Sequence, residues 1–183
     1  MKSILNVENT IQTVIQGEIK ELINFNGAPF IKFQLIVTAI EFLGACMDQH
    51  EFSKNEESES RFNNAIIKLF PKKYHKYAKK DTEINLFRDL RCGMIHKLCP
   101  LTTKIRLTER RHLQENANIN SSEIKGDLYL VLEDFYEDLD AACEKLKTRN
   151  RKNKLPTKKM EQPYITVEHG TTGNTINNII KEG

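Results

Sequence analysis

Residues Ile31 to Met47 are apolar on more than one face of a helix drawn through them, and this run constrains the chain most. Such a helix offers little polar surface to water, so neighbours must cover it on more than one side. Its most apolar part, Leu35 to Met47, is interrupted by Glu41, bounded by Gln34 and Asp48, and shorter than the ~20 residues of a membrane span. It reads as the buried central helix of a bundle. Polar residues in Met1 to Glu8 come too early for the apolar core of a signal peptide. The expected setting is cytoplasmic, with no membrane.

Four further segments carry helical periodicity. Ile4, Val7, Ile11, Val14, Ile15, Ile19, Leu22 and Ile23 recur at helical spacing before Asn26-Gly27-Ala28-Pro29 stops the run. After the acidic, loop-like stretch Gln49 to Glu59, Ser60 caps a short helix through Phe62, Ala65, Ile66, Leu69 and Phe70, which Pro71 ends. Asp81 or Thr82 caps a fourth, through Ile84, Phe87, Leu90, Met94, Ile95 and Leu98, closed by Pro100. Leu132 to Leu146 forms a fifth, with an acidic opposite face. Lys104 to Thr108 and Asp127 to Val131 read as short strands, paired as a small appended hairpin across a long excursion.

The 183-residue chain thus reads as mainly α, with a helical domain at 1–147 and a basic linker and flexible tail at 148–183. Pro163 to Val167 offers that tail one short strand. The 39% hydrophobic content is ample for a core and too high for a disordered chain. Cys46, Cys92, Cys99 and Cys143 sit in apolar helical patterns, where reduced thiols pack as small hydrophobes.

Net charge is only +3, but it is unevenly spread. Lys68 to Lys80 holds six lysines and no acid, and Lys147 to Lys159 holds seven Lys or Arg and no acid. Lys104, Arg106, Arg110 and Arg111 form a third basic group. Basic clusters beside separate acidic ones fit a polyanion-binding face, although any single cluster also fits a solvated surface.

The fourth helix carries Arg91-Cys92-Gly93-Met94-Ile95-His96 near its end. A helix, a polar loop, a helix, then Arg-x4-His late in a helix with another helix after it, over about residues 4 to 147, resembles the HEPN superfamily. That resemblance implies an up-and-down helical bundle and a homodimer whose two motifs line one cleft. Many members are endoribonucleases that use neither metal nor cofactor, often with an antitoxin or in a defence system. Active members commonly carry Asn, Asp or His after the Arg, where this chain has Cys92.

The residue chemistry stands beside that resemblance. Cutting RNA without a metal requires a base for the 2′-hydroxyl, a cation for the phosphorane-like transition state and an acid for the leaving oxygen. An imidazole, ordinarily near pKa ~6.5, suits the proton transfers, and a planar guanidinium grips two phosphate oxygens. His96 is therefore the candidate general acid/base and Arg91 the candidate phosphate clamp. At about 100° per residue, however, positions five apart diverge by roughly 140°. Either the helix loosens at Gly93, or the site joins Arg91 of one subunit to His96 of another. A non-catalytic relative instead uses the same cleft to bind RNA, a nucleotide or a protein. A purely structural dimerisation module pairs Arg91 with an acid such as Asp89 on a neighbouring helix or subunit and leaves His96 an ordinary late-helix residue.

Cys92, His96 and Cys99 share a helical face, but no fourth ligand is evident, and core or interface thiols account for them better than zinc. Lys72, Lys73, Tyr74, His75, Lys76 and Tyr77 interleave cations with aromatics, a composition suited to single-stranded RNA. A surface turn with packed tyrosines is the plainer account of the same residues.

Overall fold

The computed structural model describes residues 2–4, 6–115, 126–157 and 159–161. Within them the chain is mainly helical. Strand β1 (Lys2–Ile4) leads into one continuous helical rod: α1 (Val7–Thr10), a π-helical run Ile11–Ile19, and α2 (Lys20–Asn24). The Asn6 side chain caps the rod by accepting the Asn9 N–H at 3.0 Å. The buried hydroxyl of Tyr136 donates to the Ile15 carbonyl at 2.9 Å. A side chain that takes a helix carbonyl in this way fits the widened π ladder around it.

Helix α3 (Pro29–Met47) is the central element and packs against α4 (Ser58–Leu69), α7 (Leu132–Arg151) and the rod. Its 19 residues and mean hydropathy of 1.6 are long and apolar enough to cross a membrane, yet more than half of the helix is buried inside the protein. Phe33, Ile36, Ile40 and Leu43 of α3 meet Phe62, Ile66 and Leu69 of α4 and Phe135 and Leu139 of α7 in one core. Each such side chain contributes ~1.5–3 kcal/mol when fully buried. The α3–α4 crossing depends on Gly44, where a methyl group would overlap the backbone carbonyl of Arg61.

The acidic segment before α4 closes around Arg61, which is buried. Its guanidinium donates to Asp48 at 2.6 Å and to the carbonyls of Glu51, Phe52 and Lys54 at 2.6, 3.0 and 3.3 Å. A 3₁₀ turn, Asn55–Glu57, precedes α4, which starts at Ser58, two residues ahead of the expected Ser60 cap. Pro71 ends α4 as expected, with Phe70 already extended at φ −83°, ψ 164°.

The expected hairpin is not formed. β2 (Ile105–Thr108) and β3 (Leu128–Val131) pair in parallel, Ile105 opposite Leu128 and Thr108 opposite Val131. Parallel neighbours need a crossover connection, and the segment between them begins with helix α6 (Arg110–Glu115). β3 then runs directly into α7, which continues past residue 147 to Arg151. Lys147 is buried there, bonded to Gln16 at 2.9 Å and to Glu144 at 2.6 Å, so the second basic run begins as part of the bundle. β4 (Lys159–Glu161) pairs antiparallel with β1. The strand expected at Pro163 to Val167 lies outside the described residues.

Candidate functional site

The helix bearing the motif starts three to four residues later than its sequence signals indicate. Residues 79–84 form a turn in which the Thr82 hydroxyl reaches the Lys79 and Ile84 carbonyls, both at 2.8 Å. Asn85, rather than Asp81 or Thr82, is the cap. Its side chain accepts the Arg88 N–H at 2.7 Å, and Asp89 answers by accepting the Asn85 N–H at 2.8 Å. This is a capping box whose acid sits one position later than usual, as suits the π turn Leu86–Arg91 that opens the helix. Burial, the largest influence on Asp89, pushes its pKa up. The Arg88 side-chain hydrogen bonds, the Asn85 N–H and the Arg88 charge together outweigh it and hold the carboxyl below its ordinary value.

The π turn passes into α5 (Cys92–Lys97), which ends with Leu98 in left-handed geometry at φ 59°. Gly93 does not loosen this helix. It is buried against the returning chain, where a methyl group would overlap the Cys99 carbonyl and come within 2.9 Å of the Leu101 amide. The irregularity of the ladder lies one turn earlier, in the π segment.

Arg91 closes that π turn and points inward. Its Nε donates to Oε2 of Glu41 on α3 at 2.7 Å, each side chain 18% exposed, and the guanidinium lies over the Phe87 ring with 5.5 Å to its centroid. The two terminal nitrogens of Arg91 make no hydrogen bond with a described residue. Asp89, the acid named from sequence as a partner, belongs instead to Arg88, with Nε to Oδ1 at 2.7 Å.

His96 is exposed and shares no hydrogen bond or ion pair with Arg91 or any other described residue, while Arg91 is turned to Glu41. Leu98 and Leu101, 63% and 43% exposed, follow it closely in the chain. Cys92 is half-buried and Cys99 exposed, both as free thiols. Among the described residues no group of three or more His, Cys, Asp or Glu side chains is placed to hold a metal ion.

The second candidate group, Lys72 to Tyr77, forms most of a 3₁₀ helix, Lys72–Ala78. Tyr74 belongs to the core: it is 4% exposed, packs on Phe70 and Phe135, and donates its hydroxyl to Asp138 at 2.7 Å. Burial first, then the Asp138 hydrogen bond, raise its phenol pKa far above the ordinary value. His75 is tied to the Phe70 carbonyl at 3.1 Å, and Lys73 to Asp138 at 2.7 Å. Lys72 and Lys76 are exposed and half-buried Tyr77 stands beside them, with the Lys76 ammonium 4.7 Å from its ring centroid.

Two open grooves of about 340 and 430 Å³ flank this turn and share Lys76 and Tyr77. The smaller also touches Thr82, Glu83, Ile84 and Asp127, and the larger Lys72, Lys73, Tyr129 and Val131.

Sequence reasoning did not reach Glu41 as a partner, although an acid alone inside an apolar core helix is the signal that finds it. Nor did it reach Asn85, or Tyr129 as a wall of the larger groove. Compared with family models, curated proteins and solved structures, the chain finds no significant match.

Proposed function

We propose that this protein is a HEPN-like, metal-independent endoribonuclease that works as a homodimer. The observation that carries the reading is the posture of Arg91. Glu41 fixes its Nε edge at 2.7 Å, which leaves the two terminal nitrogens for a phosphate. A guanidinium held in this way loses less freedom when it grips a phosphate than a free side chain does.

His96 supplies the proton transfers from a second chain, since it shares no bond with Arg91 of its own chain and positions five apart on a helix diverge by roughly 140°. In a two-fold dimer one His96 takes the 2′-hydroxyl proton, the 2′-oxygen attacks the adjacent phosphorus, and the 5′-oxygen leaves with a proton from the other His96. A 2′,3′-cyclic phosphate and a 5′-hydroxyl result. The exposed Leu98 and Leu101 give the apolar contact such a dimer needs beside the histidine. A defence or toxin role, with an antitoxin as partner, belongs to the same reading through the resemblance.

A second reading is favoured by the same ion pair. Glu41 offsets the Arg91 charge inside the fold, so a module that binds RNA without cutting it also fits.

The deciding experiment is cleavage of single-stranded RNA in EDTA by wild type, His96→Ala and Arg91→Ala. Cleavage lost by ~10²-fold or more in both variants supports catalysis. A wild type that does not cut, or variants that cut equally well, end that reading. RNA bound but not cut selects the second. A strictly monomeric solution mass removes the shared site.

A further inference from the structure

We infer that the two grooves on either side of Lys76 and Tyr77 form a single site for two consecutive nucleotides of a single-stranded polynucleotide, separate from Arg91 and His96. This extends the RNA reading to another place on the molecule and does not depend on cleavage.

The first argument is charge. Every acid lining the grooves already has a cation. Glu83 pairs with Lys104, Asp127 with Arg106 at 2.8 Å, and Asp134 with Arg110, whose Nε lies 3.2 Å away. Lys72 and Lys76 meet no acid among the described residues, and Lys79 and Lys80, also exposed, follow them. The acids are therefore offset from outside the grooves while the lysines keep their field for an anion.

The second argument is shape. β3 alternates, with Leu128 and Leu130 turned to the core and Tyr129 and Val131 less buried. This puts Tyr129 in the wall of the larger groove, while Tyr77 stands in both. Volumes of about 340 and 430 Å³ lie in the range of ~300–1,000 Å³ usual for small-ligand sites, enough for a nucleoside in each. Lys76 lines both grooves, so its ammonium, which rests over the Tyr77 ring at 4.7 Å, is available to the phosphate that links the two nucleosides. Lysines for the backbone and tyrosines for base faces are the means by which proteins hold single strands. A duplex keeps its bases stacked on each other and cannot offer them to the tyrosines.

The test measures fluorescence anisotropy of a ten-nucleotide single strand with the full chain carrying His96→Ala, which keeps the probe intact. RNA and DNA probes of one sequence, and the RNA duplex, are compared. Lys76→Glu is expected to weaken binding at least tenfold, and Lys20→Glu, the same charge change on exposed α2, less than twofold. Tyr129→Ala is expected to weaken it about tenfold, in line with ~1–3 kcal/mol per stacked base, and Tyr129→Phe to restore it. Contacts of Lys72 and Lys76 with two phosphates give an expected log–log salt slope of about −1.4.

Preference for the RNA strand over DNA assigns the ligand as RNA, and equal binding supports a general single-strand site. Equal losses from Lys76→Glu and Lys20→Glu, binding unchanged by Tyr129→Ala in a folded protein, or a duplex bound as tightly as the single strand each overturn the inference. Lys76 is exposed, so its variant folds whatever becomes of Tyr129. A wild type without nuclease activity overturns the cleavage reading and leaves this one standing.

Discussion

Arg91 at the end of the motif's π turn donates its Nε to Glu41 in the middle of the central helix, 2.7 Å away. The bond ties the candidate site to the most buried element of the fold. Glu41→Ala leaves a largely buried guanidinium without its carboxylate and is expected to cost about 2 kcal/mol in urea denaturation. Glu41→Gln keeps an oxygen acceptor in place and should recover at least half of that. If Glu41 positions Arg91 for a phosphate, RNA cleavage falls about tenfold in Glu41→Ala and returns in Glu41→Gln. Stability that falls while cleavage persists assigns Glu41 to the fold alone.

The capping box of the motif helix makes stability depend on pH through Asp89. Because its folded pKa is held below the ordinary value, the contribution is complete above the unfolded pKa of ~4 and is lost as the pH falls through the folded value. Asp89→Asn is therefore expected to be clearly less stable than wild type at pH 7, by ~1–3 kcal/mol, and to converge with it as the pH falls below the ordinary carboxylate range. Urea midpoints of both proteins across this range provide the measurement. A gap that stays constant down to pH 2 means that the carboxylate does not supply the stability.

Gly93 tests the packing around the site. Its would-be methyl meets the backbone of residues 99–101 rather than a flexible side chain, so the chain itself must move. Gly93→Ala is expected to lower stability by ~1–3 kcal/mol despite the better helix propensity of alanine. A variant as stable as wild type shows that the returning segment yields easily.

The helices were legible because their apolar residues recur at helical spacing, and the central helix because Ile31 to Met47 is apolar on more than one face. Pro71 could be read as a stop since it excludes helical geometry from Phe70. What failed was information held in distant contacts. The two short strands look alike whether they pair in a hairpin or in parallel, and the crossover that decides depends on the helix Arg110–Glu115. The capping signal misled because Asp81, Thr82 and Asn85 are all good caps, and only the Asp89 carboxylate answering from within the π turn selects Asn85. At the candidate site, Arg91 and His96 were singled out by their spacing, and the roughly 140° between them in projection agrees with one side chain turned to Glu41 and one exposed. Glu41 was visible in the sequence only as an interruption, since its role exists once α3 and the π turn are packed together.

Leu98 separates stability from association. It ends α5 in left-handed geometry at φ 59°, which costs a non-glycine residue ~1–2 kcal/mol, and it is 63% exposed, so burial does not repay that cost. Leu98→Gly removes the strain but adds ~0.5–1 kcal/mol of backbone entropy, so the folded chain should be as stable as wild type or up to ~1.5 kcal/mol more so. The same change deletes an apolar side chain near His96. If the proposed dimer closes over this surface, sedimentation equilibrium will show at least tenfold weaker association for Leu98→Gly, and cleavage will fall at enzyme concentrations below the new dissociation constant and recover above it. A variant that is stable, associates as wild type does and cuts equally well at every concentration would place the dimer contact away from Leu98.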